Sequence, residues 1–318
     1  MSKESRLKTA CFERAIFYSW ACQLEECCKY CYMSTLPREK RTKEKVRSFA
    51  SLLAETIITK KLGWDYGFLS GGIDVFSDDK TLELLQKTNV IMGEKIWINI
   101  GILSKKQMKM FKPYIKGVVG TIEVLDPELH KKICPSKPIA PVEKMFENAK
   151  ELRLTRAMTL IVGLGESIDD FELLKKFIAK YIITKIHIYG LNPQKGTVFE
   201  KAKPPTAEYQ AEWIKKTRKE FPSIRIQCGI WVDRVGRIAK LLEAGADSIS
   251  KFPALKKFGS KEAKEIESQA KKAGREFEGT LTKLPKIDWD KEVDKLDIEE
   301  SLKIKTKAKL KQYISKMH

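Results

Sequence analysis

The strongest constraint on the fold is a rhythm. Short runs of β-branched and aromatic residues alternate with amphipathic segments of helical period along most of the 318 residues. The expected strands are 15–20 (AIFYSW), 65–70 (DYGFLS), 96–101 (IWINIG), 117–125 (GVVGTIEVL), 157–163 (AMTLIVG), 185–191 (KIHIYGL), 224–230 (IRIQCGI) and 246–250 (ADSIS). Their apolar runs lack strict alternation, as in strands covered on both faces. Between them lie segments such as SIDDFELLKKFIAKY, which places Ser167 as an N-cap with acids in the first turn. Eight such units predict an α/β fold, a parallel (βα)8 barrel over residues 1–257; a doubly wound open sheet is the alternative. From about residue 258 the chain turns Lys/Glu-rich, which predicts a helical extension, 258–318, packed on the barrel.

A barrel gathers its functional groups after the C-terminal ends of its strands. Cys22 follows the first strand, SGGID the second, Asp126 and Cys134 the fourth, GLGES the fifth and NPQKGT the sixth, while Cys228 ends the seventh. Seven cysteines in a chain of this length are not the disulfide framework of a small secreted domain. Four of them, Cys22, Cys27, Cys28 and Cys31, fall within ten residues. Zinc commonly takes two separated pairs of ligands, and the second pair is missing, with only His130, His187 and His318 as imidazoles. Thiolates clustered in one loop suit an iron–sulfur cluster with one iron left open.

The element Cys28-Lys29-Tyr30-Cys31 behind a first strand resembles the cradle of the radical S-adenosylmethionine (SAM) enzymes. The resemblance implies a [4Fe-4S] cluster whose open iron is chelated by SAM, with Tyr30 packed near the adenine. The usual spacing C-x3-C-x2-C would need a cysteine where Leu24 stands. Two triplets remain, Cys22/Cys28/Cys31 and Cys22/Cys27/Cys31, and the first keeps the C-x-aromatic-C half intact. LSGGID resembles the glycine pair that receives SAM's amino group, implying roles for Gly71 and Gly72, with Ile73 in the place of the customary acid. Glu123 and Asp126 are expected acceptors for ribose hydroxyls or the amino group, against core-edge salt bridges as the plain reading. VGLGES, with Glu166, and LNPQKGT resemble the fifth and sixth strand ends of the biotin synthase-like branch.

Sulfur-inserting members of that branch carry a second cluster inside the barrel. Cys134 and Cys228 are expected as two of its ligands, with Cys27 as the third or Cys11 as its substitute; Cys11 precedes the expected first strand and belongs toward the opposite end. FERAIFYSWAC, CKYCYMS, SGGID, DPELHKKICPSKPI and GLGES resemble most the archaeal two-component lipoyl synthase, in its second subunit. That implies sulfur insertion into an octanoyl chain on a lipoyl-carrier protein or peptide, beside a paralogous subunit and an electron donor such as ferredoxin. A rival within the branch resembles the maturase of the iron-guanylylpyridinol cofactor and needs one cluster only.

The formal charge of +19 suits a polyanion, and an iron–sulfur RNA-binding protein is the rival from another class. Lysines alternating with glutamates on solvated helices account for the charge equally well, and no RNA-binding signature with interleaved aromatics is present. Only the segment from Lys303 to Lys316 is basic without acids. No run approaches the ~18 apolar residues of a membrane span, so a cytoplasmic, unprocessed protein is expected.

Overall fold

The computed structural model describes residues 8–35, 46–73 and 75–317. Eight parallel strands close into a barrel: β1 (Thr9–Phe17), β2 (Asp65–Ser70), β3 (Ile96–Asn99), β4 (Ile115–Glu123), β5 (Thr155–Val162), β6 (Lys185–Gly190), β7 (Arg225–Gly229) and β8 (Ser248–Ser250). β1 pairs with both β2 and β8, so the ring has no open edge there, and the doubly wound alternative falls. Outside the strands lie α1 (Phe49–Lys61), α2 (Asp78–Met92), α3 (Lys105–Phe111), α4 (Pro127–Ile133), α5 (Ile139–Glu151), α6 (Phe171–Tyr181), α7 (Ala207–Glu220), α8 (Ile238–Glu243) and α9 (Lys261–Lys272).

Local chemistry explains where these helices start. Ser77, Ser104, Thr206 and Ser260 each accept a backbone N–H of the first turn of α2, α3, α7 and α9. Ser167 does the same for the 3-10 turn Ile168–Asp170 that leads into α6, as its sequence position suggested. The C-terminal region is helical, with α10 (Trp289–Asp294) and α11 (Glu300–Ile314). It also contains a strand that composition did not suggest, β9 (Glu276–Glu278), which pairs in parallel with β1.

The first strand differs most from expectation. It begins six residues before Ala15 and ends at Phe17, so Cys11 lies inside it rather than ahead of it. The cause is polar pairing inside the fold. Glu13 is buried beside Lys185, and Arg14 bonds the buried Glu55 of α1, 2.5 Å away. Two adjacent charges therefore sit in a strand interior, ahead of the apolar run that marked the expected strand.

The barrel interior has two unlike halves. Ala15, Phe68, Trp97, Val119 and Ala157, from β1 to β5, form an apolar plug. Opposite it runs a hydrogen-bonded chain: Ser248 Oγ donates to Glu13 (2.6 Å), Gln227 Nε2 donates to Glu13 (2.6 Å), and Tyr189 and Ser250 donate to Gln227 Oε1 (2.5 and 2.9 Å). His187 sits between the halves, bonded to Thr159 (3.0 Å) and tilted against Phe68. A larger apolar layer packs the outer faces of the strands against the helices.

Candidate active site

The chain leaves β1 through a loop that carries four cysteines, and hydrogen bonds pin this loop to two other strand ends. Gln23 N donates to Ile73 O (3.1 Å) after β2. Lys29 N donates to Ile133 O (2.8 Å) and Glu26 N to Ser136 Oγ (3.0 Å) on the β4–α5 connection. A 3-10 turn, Tyr32–Thr35, closes it. His130 shapes the receiving connection, bridging Val124 O (3.1 Å) and Lys137 O (2.7 Å).

Cys22, Cys28 and Cys31 line one cavity of about 390 Å³ at the C-terminal mouth, together with Tyr30, Gly71, Gly72 and Glu123. Cys27 does not line it and packs with Cys22 and Met33. Burial pushes Cys31 up to about 12. Cys28 moves the other way, because a hydrogen bond from Cys134 favours its thiolate, against burial and with help from Lys137. No three cysteines among the described residues bring their sulfurs within 4.8 Å of one another. A tetrahedral zinc, with Zn–S of about 2.3 Å, would hold thiolates only about 3.8 Å apart. The cradle thus fits a larger metal body better than a single ion, and its all-thiol donor set suits iron–sulfur chemistry.

The glycine pair is required by the fold as much as by any ligand. A Cβ on Gly72 would lie 1.5 Å from Ala21 O, and one on Gly71 would lie 2.3 Å from the Tyr18 ring. The Tyr18 hydroxyl also donates to Gly72 O (3.0 Å), so that carbonyl already has a partner. The last residue of LSGGID, Asp74, lies outside the described residues.

Glu123 ends β4 with a left-handed φ of 69° and is clamped by Lys137 (2.6 Å), while its second oxygen is buried with no partner among the described residues. Burial opposes the Lys137 charge, yet Cys28 and Glu123 hold it above the ordinary lysine range. Two other expected acceptors are used elsewhere. Asp126 caps α4, accepting from Leu129 N (2.7 Å), and Glu166 closes its own turn by accepting from Gly163 N (2.6 Å) and Leu164 N (2.8 Å). Neither lines the cavity.

The expected auxiliary ligands are dispersed. Cys134 lies behind Cys28 in an apolar group with Val124, Leu164 and Leu191. Cys228 faces the helix layer, its thiol on Ser248 O (3.4 Å), because Gln227 takes the inward position on β7. Cys11 sits at the other end of the barrel against Asp65 (3.5 Å), as its place in the sequence suggested. With Glu13 and Asp65 it forms a tight ligand-type trio, but Lys185 and Arg225 already neutralise those carboxylates.

Residues 21–178 match the radical SAM superfamily. The chain belongs to the radical SAM superfamily. It is 36% identical to an uncharacterized protein of Methanocaldococcus jannaschii, over 93% of this chain and 82% of that one. It is 30% identical to the 7,8-didemethyl-8-hydroxy-5-deazariboflavin synthase of Archaeoglobus fulgidus, over 54% of each. A biotin synthase of Thermotoga petrophila is 27% identical over 54% of this chain and 59% of its own length, so the chain spans little more than half of these two named relatives. Among solved structures, methylornithine synthase shares the fold at a TM-score of 0.66, with 18% identity over 78% of this chain and 74% of that one. As a radical SAM barrel the chain is an enzyme related to biotin synthase, and its family implies a [4Fe-4S] cluster and SAM. Among the described residues no helix is long and apolar enough to cross a membrane.

Sequence reasoning missed Lys137, Tyr189 and Lys251 in the cavity wall. Lys137 follows Cys134 by three residues, and Lys251 directly follows β8, so strand-end position was the available signal.

Proposed function

We propose that this is a single-cluster radical SAM enzyme that removes a hydrogen atom from a small molecule held in the polar half of the barrel mouth. Cys22, Cys28 and Cys31 would hold three irons, with Cys27 and Cys134 as neighbours rather than ligands. When bound, the cluster supplies the electron that splits SAM into methionine and a 5'-deoxyadenosyl radical. Glu123, fixed by Lys137, offers its unpartnered oxygen to a hydroxyl or ammonium of SAM. Leu24, Tyr30 and Met33 cover the cradle and keep water from the reacting carbon. The observation that carries the reading is the convergence of three thiols, the glycine pair and Glu123 on one cavity, with Cys228 turned away from it.

A second reading is the sulfur-inserting component of a two-part lipoyl synthase, acting on an octanoylated carrier protein or peptide with a paralogous subunit and a ferredoxin-type donor. The position of Cys134 beside the cradle favours it; the outward Cys228 counts against the expected ligand set. Anaerobic reconstitution with iron and sulfide counting, then SAM and dithionite, separates the two. About four irons per chain with 5'-deoxyadenosine formed supports the first reading, about eight irons the second, and no 5'-deoxyadenosine would sink both.

A further inference from the structure

Three charged side chains line the cavity among the described residues: Glu123, Lys137 and Lys251. Glu123 and Lys137 neutralise each other, which leaves one positive charge. The lysines within the barrel are otherwise paired, Lys137 with Glu123 and Lys185 with Glu13, as buried charges generally are. Lys251 has no carboxylate in salt-bridge contact among the described residues. Its ammonium lies over the Tyr189 ring, 4.6 Å from the centroid, and over Phe17 at 5.6 Å. Burial holds it below the ordinary lysine range despite Glu123 and Cys31 nearby. Its backbone takes a left-handed φ of 69° directly after β8, a costly conformation for a side-chain-bearing residue and one that concentrates at ligand sites.

We propose that Lys251 is a specificity-determining residue that anchors an organic carboxylate of the substrate, whose apolar or aromatic body lies against Tyr189 and Phe68. This rests on the radical SAM reading, in which SAM's own carboxylate is directed at the open iron and the charge left over faces the substrate. A cation framed by aromatic faces rewards a ligand with an anionic head and a flat body, and a neutral ligand would leave the ammonium uncompensated. Asn192 and Gln194 in the same wall supply further polar contacts for such a head group.

The test is equilibrium dialysis of benzoate, with benzyl alcohol as the neutral control, into anaerobic reconstituted protein saturated with SAM. Wild type should bind benzoate saturably and ignore benzyl alcohol. Lys251→Met should weaken benzoate about tenfold or more while SAM affinity stays within about threefold, and Lys251→Arg should keep most of the binding. Lys251→Gln serves as a second neutral variant should the Met form not fold. A tenfold loss of SAM affinity with benzoate unchanged would assign Lys251 to the cofactor's carboxylate and overturn the proposal. So would equal benzoate binding by wild type and the neutral variants, or no saturable benzoate binding by wild type. Failure of the underlying reading looks different: wild type itself would neither bind SAM nor release 5'-deoxyadenosine.

Discussion

Cys134, at the C-terminal end of α4, is buried in the same apolar cluster as Cys28 of the loop after β1. This contact couples the cradle to the β4–α5 connection that also presents Lys137. A single-cluster enzyme makes a plain demand of it. Cys28→Ala should abolish iron loading, whereas Cys134→Ala and Cys228→Ala should each keep about four irons per chain and form 5'-deoxyadenosine. Iron counting checks this, and a fall from about eight to about four in the Cys134 variant would favour sulfur insertion instead.

Thiol reactivity gives a second prediction. Burial pushes Cys228 up to about 12, and burial together with Asp65 and Glu13 raises Cys11 well above the thiol range. At pH 8 both should stay protonated and resist iodoacetamide in the native, cluster-free protein, while reacting fully after denaturation. Mass mapping of the labelled peptides decides it, and rapid native labelling of Cys228 would contradict its place in the helix layer.

At the other end of the barrel, Glu13 predicts a pH dependence of stability. Burial opposes its charge, but Lys185 and Arg225 prevail and bring it from 4.5 down to about 2. A carboxylate depressed on folding contributes stability that is complete above its unfolded value and is lost as pH falls through its folded one. The loss should run from about pH 4.5 toward about pH 2 and amount to about 3 kcal/mol. Denaturant titrations at pH 6 and pH 3 should show about 2 kcal/mol of it, because pH 3 still lies above the folded value. In the double variant Glu13→Gln/Lys185→Met this part of the slope should vanish, whereas Glu13→Gln alone strands a buried ammonium and should cost about 3–5 kcal/mol at neutral pH.

The parallel barrel was legible because it rests on local pattern, eight apolar runs at regular spacing, and the gathering of Cys22, Cys28 and Cys31 on one cavity follows from their clustering in a single loop. What escaped depends on partners distant in sequence. Glu13 and Arg14 fell outside the expected first strand because their counter-charges lie on β6 and α1. Cys228 was placed at the right strand end but on the wrong face, since only the hydrogen bonds of Gln227 fix which residue of β7 points inward. Asp126 and Glu166 carry the right chemistry for a ligand, yet each is consumed by backbone N–H groups two to three residues away. Lys251 stood one residue beyond the eighth strand, whose end at Ser250 is the expected one, but a lone lysine there carries no motif, and its aromatic neighbours Tyr189 and Phe17 come from distant strands.

The last prediction concerns the glycine pair, whose absolute need for a missing side chain comes from the cysteine loop itself. A methyl group on Gly72 would overlap Ala21 O at 1.5 Å, and that oxygen belongs to the rigid backbone just before Cys22. Backbone cannot rotate away as a side-chain tip would, so Cys22, whose Cα would lie 2.6 Å from the same Cβ, must shift. Gly72→Ala should therefore destabilise the protein by about 2–3 kcal/mol and fail to load iron. Gly236→Ala is the matched control, because a Cβ there meets no atom within 4 Å. It should change stability by no more than about 0.5 kcal/mol and load iron as wild type does. Iron content and denaturation midpoints of the two variants, measured side by side, test whether the close approach at Gly72 holds the cradle in place; normal iron loading of the Gly72 variant would refute it.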